Sequence, residues 1–376
     1  MKKIQMVDLV TQYEKIKPEI ETAISGVMSS AAYINGPEVK AFQSELETYL
    51  DVKHVIPCAN GTDALQIALM ALGLKPGDEV ITSDFTFAAT VEVVKLLNLT
   101  AVLVDVERDT FNISIESLEK AITPNTKAII PVHLFGQCSN MDAVMEIAEK
   151  HNIFVVEDTA QAIGAKYTSK DGSTKSAGCI GNVGTTSFFP SKNLGCFGDG
   201  GAIFTNDDEL AVILRSIVNH GMGERYYYDR VGVNSRLDSI QAAILRIKLR
   251  ELNSYIENRQ RAAKYYSDFF SQIEGVEVPT ISDFSTHVFH QYTLKIDGID
   301  QFAAQKFMNE KGIPAMIYYP MPLHTQKAYD ADKYNHDDFK VTNELCKCVL
   351  SLPMHTELDN EQLEYITESL KEFLTK

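Results

Sequence analysis

The run Thr185-Thr-Ser-Phe-Phe-Pro-Ser-Lys-Asn-Leu-Gly-Cys-Phe-Gly-Asp-Gly-Gly-Ala202 places one lysine, Lys192, between two apolar stretches. The β-rich residues Thr185 to Phe189 stop at Pro190, and Gly195, Gly198, Gly200 and Gly201 lead into Ala202-Ile203-Phe204. The lysine therefore belongs on a turn between two buried strands. An ammonium held there is poorly solvated, and desolvation is one way an amine loses its proton and becomes a nucleophile. The chemistry that needs such an amine is imine formation with a carbonyl. A surface lysine on a glycine loop is the plainer reading of Lys192 taken alone, so the other reactive groups must decide.

Four further stretches carry such groups. Ala59-Asn60-Gly61-Thr62-Asp63 opens a helix with Leu65, Ala68, Leu69 and Leu72 on one face. Gly61 allows close backbone approach, Thr62 supplies a hydroxyl, and the unpaired amides of a helix start attract anions. Alone this is an ordinary helix cap; paired with Ser187, five residues before Lys192, it offers two hydroxyls and a helix terminus to a phosphate. Asp84-Phe-Thr-Phe-Ala-Ala-Thr90 puts Phe85 and Phe87 just after a strand-like run, where a flat ring can stack on a heteroaromatic one or join the core. Ile153-Phe-Val-Val-Glu-Asp-Thr-Ala-Gln161 ends an apolar strand in two carboxylates. Charges in such a place are costly unless paired, so a carboxylate here either meets a cationic group or caps the next helix. Finally, Arg215, His220, Arg225, Arg230 and Arg236 gather near Tyr226, Tyr227 and Tyr228, either as a solvated loop with snorkelling side chains or as a local anion site.

The elements that must position these groups follow from periodicity. Apolar runs at Val55–Cys58, Glu79–Ser83, Ala101–Val106, Ala128–His133, Ile153–Asp158, Gly184–Phe189 and Ala202–Thr205 alternate with helical patterns. That rhythm predicts an α/β fold with a mostly parallel central sheet flanked by helices, whose ligands lie beyond the carboxyl ends of the strands. Before it, Pro18 to Met28 and Glu38 to Leu50 read as helices joined by the apolar loop Ala31 to Pro37. After it, a long helical pattern runs from Leu237 to about Phe270, then a smaller α+β unit with strands near Val288–Ile296 and Ile313–Tyr319. The expected division is a large domain over residues 1–250 and a small C-terminal domain over 251–376. Fifty-one acidic against 35 basic residues give a net charge of −16 without a dense basic block, which argues against nucleic acid as a partner. An anionic substrate must then be met by local donors. The six cysteines show no metal or disulfide spacing. Met1-Lys2-Lys3 is followed by polar residues, and no apolar run is long enough for a membrane helix, so a soluble cytoplasmic protein without a membrane partner is expected.

Ser187-Phe-Phe-Pro-Ser-Lys-Asn-Leu-Gly195 followed by Gly198-Asp-Gly-Gly-Ala202 resembles the cofactor-lysine motif of the DegT/DnrJ/StrS group of sugar aminotransferases, enzymes of fold type I that use pyridoxal 5'-phosphate (PLP). The likeness extends from Gln12-Tyr13 to Tyr319-Pro-Met-Pro-Leu-His324. It implies that Lys192 is the catalytic cofactor lysine, that Asp158 meets the ring nitrogen, and that Gln161 lies near the phenolic oxygen. It implies further that Gly61, Thr62 and Ser187 hold the phosphate and that Phe87, in the matching Thr-Phe-x-Ala-Thr pattern, stacks on the ring. Asn234 is implied to reach the phosphate of a neighbouring subunit, hence a homodimer with shared sites. Tyr33, Ser191, Arg236, Tyr318, Tyr319 and His324 are implied to line the sugar site. Arg225 to Asp238 and Phe188 to Gly200 look closest to members that aminate UDP-linked 3-keto N-acetylglucuronic acid, with glutamate as donor, for surface polysaccharide such as O-antigen. Ala31, Tyr318 and Asn193 depart from that subgroup's usual residues and leave other keto sugars open. A dehydratase relative would have replaced the lysine, and a regulatory protein would have no need of Lys192, Asp158 and Ser187 together.

Overall fold

The fold was obtained as a computed structural model, which describes residues 3–329 and 331–375; Met1-Lys2 of the basic start lies outside them. Two helices, α1 (Leu9–Ser30) and α2 (Pro37–Leu50), lead into the alternating region. There follow β1 (His54–Cys58), α3 (Gly61–Ala71), β2 (Glu79–Ser83), α4 (Ala89–Leu96), β3 (Thr100–Val104), α5 (Ile115–Ala121), β4 (Thr126–Ile130), α6 (Met141–His151) and β5 (Phe154–Asp158). A hairpin of β6 (Lys166–Thr168) and β7 (Thr174–Ser176) precedes β8 (Val183–Ser187), β9 (Gly201–Thr205) and α7 (Asp208–Ile217). A second hairpin, β10 (Met222–Glu224) with β11 (Tyr227–Tyr228), leads to the long α8 (Ser239–Phe270). The remainder holds β12 (Val276–Glu277), β13 (Tyr292–Ile296), α9 (Gln301–Glu310), α10 (Lys340–Cys348), β14 (Val349–Leu352) and α11 (Asn360–Leu374).

Seven strands form the central sheet in the order β1-β9-β8-β5-β4-β2-β3. Only β9 runs against its neighbours, so six strands point their carboxyl ends to one edge. The mostly parallel sheet expected from the sequence is therefore present, and both its faces are buried. On one face Phe42, Leu46, Met141, Leu245 and Leu252 pack against Val55, Ile81 and Val155; on the other Leu65, Ala68, Val94 and Leu214 pack against Ile56, Val80 and Val156.

The structure departs from the sequence reading in several places. Helix α1 begins at Leu9, capped by Asp8, whose carboxylate accepts from the amide (2.9 Å) and hydroxyl (2.7 Å) of Thr11, and it runs straight through Pro18. Burial of Ile16 and Ile20 against Ile244 and Ile247 outweighs the hydrogen bond that the proline removes. Ile313–Tyr319 is extended but not a strand: it makes one bridge, Met316 to Ser351, while Ile313, Ala315 and Ile317 are buried. Its alternating pattern reports core packing, and Pro314 offers no amide to a ladder. The third strand of the small sheet is instead β14, which pairs with β13. Helix α8 carries Leu245 and Leu252 in the core under the large sheet and Ala262, Tyr266 and Phe270 in the C-terminal core, so a boundary at residue 250 falls inside one continuous helix that serves both. No helix among the described residues is long and apolar enough to cross a membrane, and all six cysteines are free and buried.

Candidate functional site

The carboxyl-end edge of the sheet collects the chemistry. Residues 188–200 connect β8 to β9 as a tight turn: the amide of Phe188 donates to Gly200 O (2.7 Å), Cys196 N to Phe188 O (2.8 Å) and Lys192 N to Phe189 O (2.8 Å). Phe188 and Leu194 are fully buried and anchor it. A Cβ on Gly195 would stand 2.3 Å from Pro190 O, so no other residue closes this turn unchanged. Lys192 is thus presented from a rigid base. Burial pushes its ammonium down to about 8, and the negative charge of Asp158 opposes that shift without cancelling it.

Asp158 ends β5 in register with Thr185 of β8. It is 5% exposed; its Oδ2 accepts from Thr90 Oγ1 (2.8 Å) and its Oδ1 from Ala160 N (3.1 Å). The preceding residue is its structural opposite. Glu157 is wholly buried and accepts four bonds, from Gly178 N (2.9 Å), Ile180 N (2.7 Å), Gly181 N (2.6 Å) and His133 Nε2 (2.9 Å). The alternation of a strand sends one carboxylate into the scaffold and the other to the lysine.

At the start of α3, Asn60 Oδ1 accepts from Asp63 N (2.8 Å), which leaves the amides of Gly61 and Thr62 at the first two helical positions for another partner. Gly61 lies directly against Ser187: a Cβ there would stand 2.6 Å from Ser187 Cβ. The helix start that carries Thr62 thus lies against Ser187, and both hydroxyl residues are half-buried. Phe87 is 59% exposed on the loop after β2, whereas Phe85 is in the core against Phe111, Phe135 and Tyr319. Gln161 accepts from Phe135 N (2.8 Å) and donates to Tyr319 Oη (3.3 Å), linking this edge to the C-terminal segment. A desolvated amine, a buried carboxylate, an anion cup and an exposed ring fit PLP.

The remaining expected residues are more scattered. Tyr33 is 42% exposed on the α1–α2 connection, and Ser191 is half-buried next to Lys192. Asn234 is exposed and Arg236 half-buried; between them Ser235 is fully buried and accepts from Ala59 N (3.0 Å), pinning this segment beside the anion cup. Tyr318 and Tyr319 are half-buried, with burial raising both phenols above their ordinary value. His324 departs from its expected place in the sugar lining. Its ring is 2% exposed, with Nδ1 2.7 Å from Asp84 Oδ2 and Nε2 2.9 Å from His336 Nδ1, so neither nitrogen is open to a ligand.

Sequence reasoning missed Thr90, although it lies in the quoted aromatic motif. It missed Ser235, which only its pairing with Ala59 distinguishes. It also missed His290, a buried imidazole kept neutral chiefly by desolvation and secondarily by the charge of Lys192, whose Nδ1 has no partner among the described residues.

Comparison with known proteins agrees with this geometry. The model of the DegT/DnrJ/EryC1/StrS aminotransferase family matches residues 14–371. UDP-2-acetamido-2-deoxy-3-oxo-D-glucuronate aminotransferase of Pseudomonas aeruginosa is 46% identical over 98% of this chain and 99% of its own. The pleiotropic regulatory protein of Geobacillus stearothermophilus is 45% identical over 98% of both chains. UDP-N-acetyl-3-dehydro-alpha-D-glucosamine 3-aminotransferase of Acidithiobacillus ferrooxidans is 42% identical over 99% of this chain and 98% of its own. Among solved structures, a DegT/DnrJ/EryC1/StrS aminotransferase from Brucella abortus superposes with a TM-score of 0.93 at 41% identity, covering 99% of this chain and all of that one.

Proposed function

Because this chain belongs to the DegT/DnrJ/EryC1/StrS aminotransferase family and is a PLP-dependent sugar aminotransferase, we propose that it transfers the amino group of glutamate to C3 of UDP-2-acetamido-2-deoxy-3-keto-glucuronic acid. The observation that carries the reaction type is half-buried Lys192 on a closed turn, within the electrostatic reach of buried Asp158, at a strand edge where a helix start also lies against Ser187. PLP supplies the carbonyl that receives the amino group and an electron-poor ring that takes up charge as a C–H proton leaves.

The residues then divide the work. The amides of Gly61 and Thr62 and the hydroxyls of Thr62 and Ser187 would hold the phosphate, and Phe87 would cover one ring face. Asp158 would keep the ring nitrogen protonated, with Thr90 Oγ1 and Ala160 N fixing the carboxylate. Lys192 Nζ would hold the cofactor, and as a free amine it would take a proton from the donor carbon and return one to the sugar carbon, a role that needs an amine neutral near physiological pH. Arg236 is assigned to the sugar carboxylate, Tyr33, Ser191, Tyr318 and Tyr319 to the sugar and nucleotide, and Asn234 to the phosphate of a partner subunit in a cytoplasmic homodimer. Surface-polysaccharide assembly such as O-antigen is the proposed destination of the product. The two UDP-sugar relatives at 46% and 42% identity support a 3-keto substrate and differ in the acidity of the sugar.

A regulatory role is the second reading, favoured by the 45% identical regulatory relative. Turnover on a panel of UDP-linked 3-keto glucuronate, its 6-hydroxymethyl analogue and a dTDP-linked 4-keto deoxysugar tests both. Preference for the acidic 3-keto sugar is expected; preference for the 4-keto sugar would refute the substrate, and inactivity on all three with PLP bound would favour regulation. Mixing Lys192→Ala with Asn234→Ala should restore part of the activity if sites are shared.

A further inference from the structure

Asp84 ends the β2 edge with a carboxylate that no step above uses. It is 1% exposed, and burial raises its pKa, opposed by the bonds from His324. Its Oδ1 accepts from the backbone amide of His324 (2.6 Å), its Oδ2 stands 2.7 Å from His324 Nδ1, and its carbonyl accepts from Leu323 N (3.4 Å). The imidazole is stacked on Phe339 at 4.2 Å and 11°, and its Nε2 stands 2.9 Å from Nδ1 of exposed His336. With Asp84 ionised and both rings neutral, the bonds run one way: His336 Nδ1 donates to His324 Nε2, and His324 Nδ1 donates to Asp84.

The position of this chain in the fold is what matters. Asp84 stands three residues before Phe87, and its own amide is locked to Val104 O (2.9 Å) in the sheet. His324 stands five residues after Tyr319, across Pro320 and Pro322, which leave that backbone little freedom. A second tie runs parallel to it, the edge-to-face contact of Phe85 with Tyr319 at 5.6 Å. The loop bearing the ring-covering candidate and the segment bearing the sugar-side tyrosines thus meet at one buried hydrogen-bonded junction between residues 240 positions apart.

We propose that the Asp84–His324 pair is a positioning element that holds the Phe87 loop and the Tyr318–Tyr319 segment at one fixed separation, with His336 bracing it from outside. The proposal rests on the aminotransferase reading for its effect on turnover, and on geometry alone for the coupling. Neither residue is asked to touch substrate. A misplacement of about 1 Å between reacting partners costs on the order of a hundredfold in rate, so the junction acts on catalysis through alignment.

The test compares His324→Ala, His324→Asn and His336→Ala on the PLP-loaded enzyme. Asparagine keeps an N–H near the position of Nδ1 and loses the link to His336. Hydrogen exchange without sugar should show the amides of Phe85–Ala88 and of Leu323–Gln326 opening together in His324→Ala, with most of the protection regained in His324→Asn. With the keto sugar that the parent accepts, kcat/KM should fall between about ten- and a hundredfold in the alanine variant, more through kcat than KM, and recover in the asparagine variant. His336→Ala should show the same paired opening to a smaller degree. Faster exchange in Leu323–Gln326 alone, or an asparagine variant no better than alanine, overturns the proposal. Should His324→Ala fail to fold, the other two variants decide, and parent-like exchange in both refutes the coupling. A parent with no turnover on any keto sugar counts against the proposed function, while the exchange arm still reads the junction.

Discussion

The residues assigned to the cofactor sit at or just beyond the ends of sheet strands, whereas most of those assigned to the sugar sit on connections outside the sheet. Asp158 is set by its register with Thr185, Ser187 by its register with Gly201, and Gly61 by contact with Ser187; Lys192 rides a turn closed by three backbone bonds. On the sugar side, Tyr33 lies between two helices, Arg236 before α8, and Tyr318–Tyr319 after a single bridge, Met316 to Ser351. Their placement depends on long-range bonds outside the central sheet, such as Gln161 to Tyr319 (3.3 Å), Ala59 N to Ser235 Oγ (3.0 Å) and Ser235 N to Val218 O (3.0 Å). On the proposed reading, the sheet edge would hold the cofactor chemistry, and the connections could change to suit another sugar without disturbing it.

Substitutions on the two sides should therefore fail in different ways. Lys192→Ala is expected to lose about 10²- to 10⁴-fold in turnover, equally on every keto sugar. Borohydride followed by mass spectrometry should find a pyridoxyl adduct on Lys192 in the parent and none in the variant; an adduct on another lysine would remove the anchor of the cofactor side. Arg236→Ala should leave the cofactor absorbance unchanged and lose roughly ten- to a hundredfold in kcat/KM on the acidic sugar, since a charge-assisted bond contributes about 1.5–3 kcal/mol. Equal losses on the 6-hydroxymethyl analogue would move Arg236 to the diphosphate. Gly61→Ala forces the helix start away from Ser187 and should weaken PLP binding by about tenfold, or about 1.4 kcal/mol, in a fluorescence titration. Unchanged affinity would mean that the cup is looser than its contacts suggest.

The mildest perturbation is pH. Lys192 is charged below about 8 in the folded protein, so PLP capture by cofactor-free enzyme should accelerate with pH and level off above that value, as stopped-flow absorbance would record. The unfolded chain keeps this proton up to the ordinary lysine range and therefore binds more protons than the folded one above about 8. Stability from this group should rise with pH across that window. Lys192→Met should flatten the rise in thermal melts, whereas Arg236→Ala should not.

Much of the cofactor side was legible before any fold was known. The seven sheet strands read true because each is an apolar run bounded by turn residues, and Lys192 and Asp158 stand out as charges placed where apolar strands end. The short hairpins β6–β7 and β10–β11 escaped because their residues carry no apolar run, and Ile313–Tyr319 misled because buried alternation looks alike in a strand and in an extended core segment. Two phenylalanines in one pentapeptide became a core residue and an exposed one, 1% and 59% accessible. His324 became the partner of Asp84 rather than a sugar contact. Periodicity and turn chemistry are settled between near neighbours, so the sequence by itself determined the strands, the lysine turn and the carboxylate at the strand end. Which face a loop residue shows, and whether a histidine meets solvent or a carboxylate 240 positions away, depends on what packs against it; that was decided only when the strands, helices and connections closed on one another.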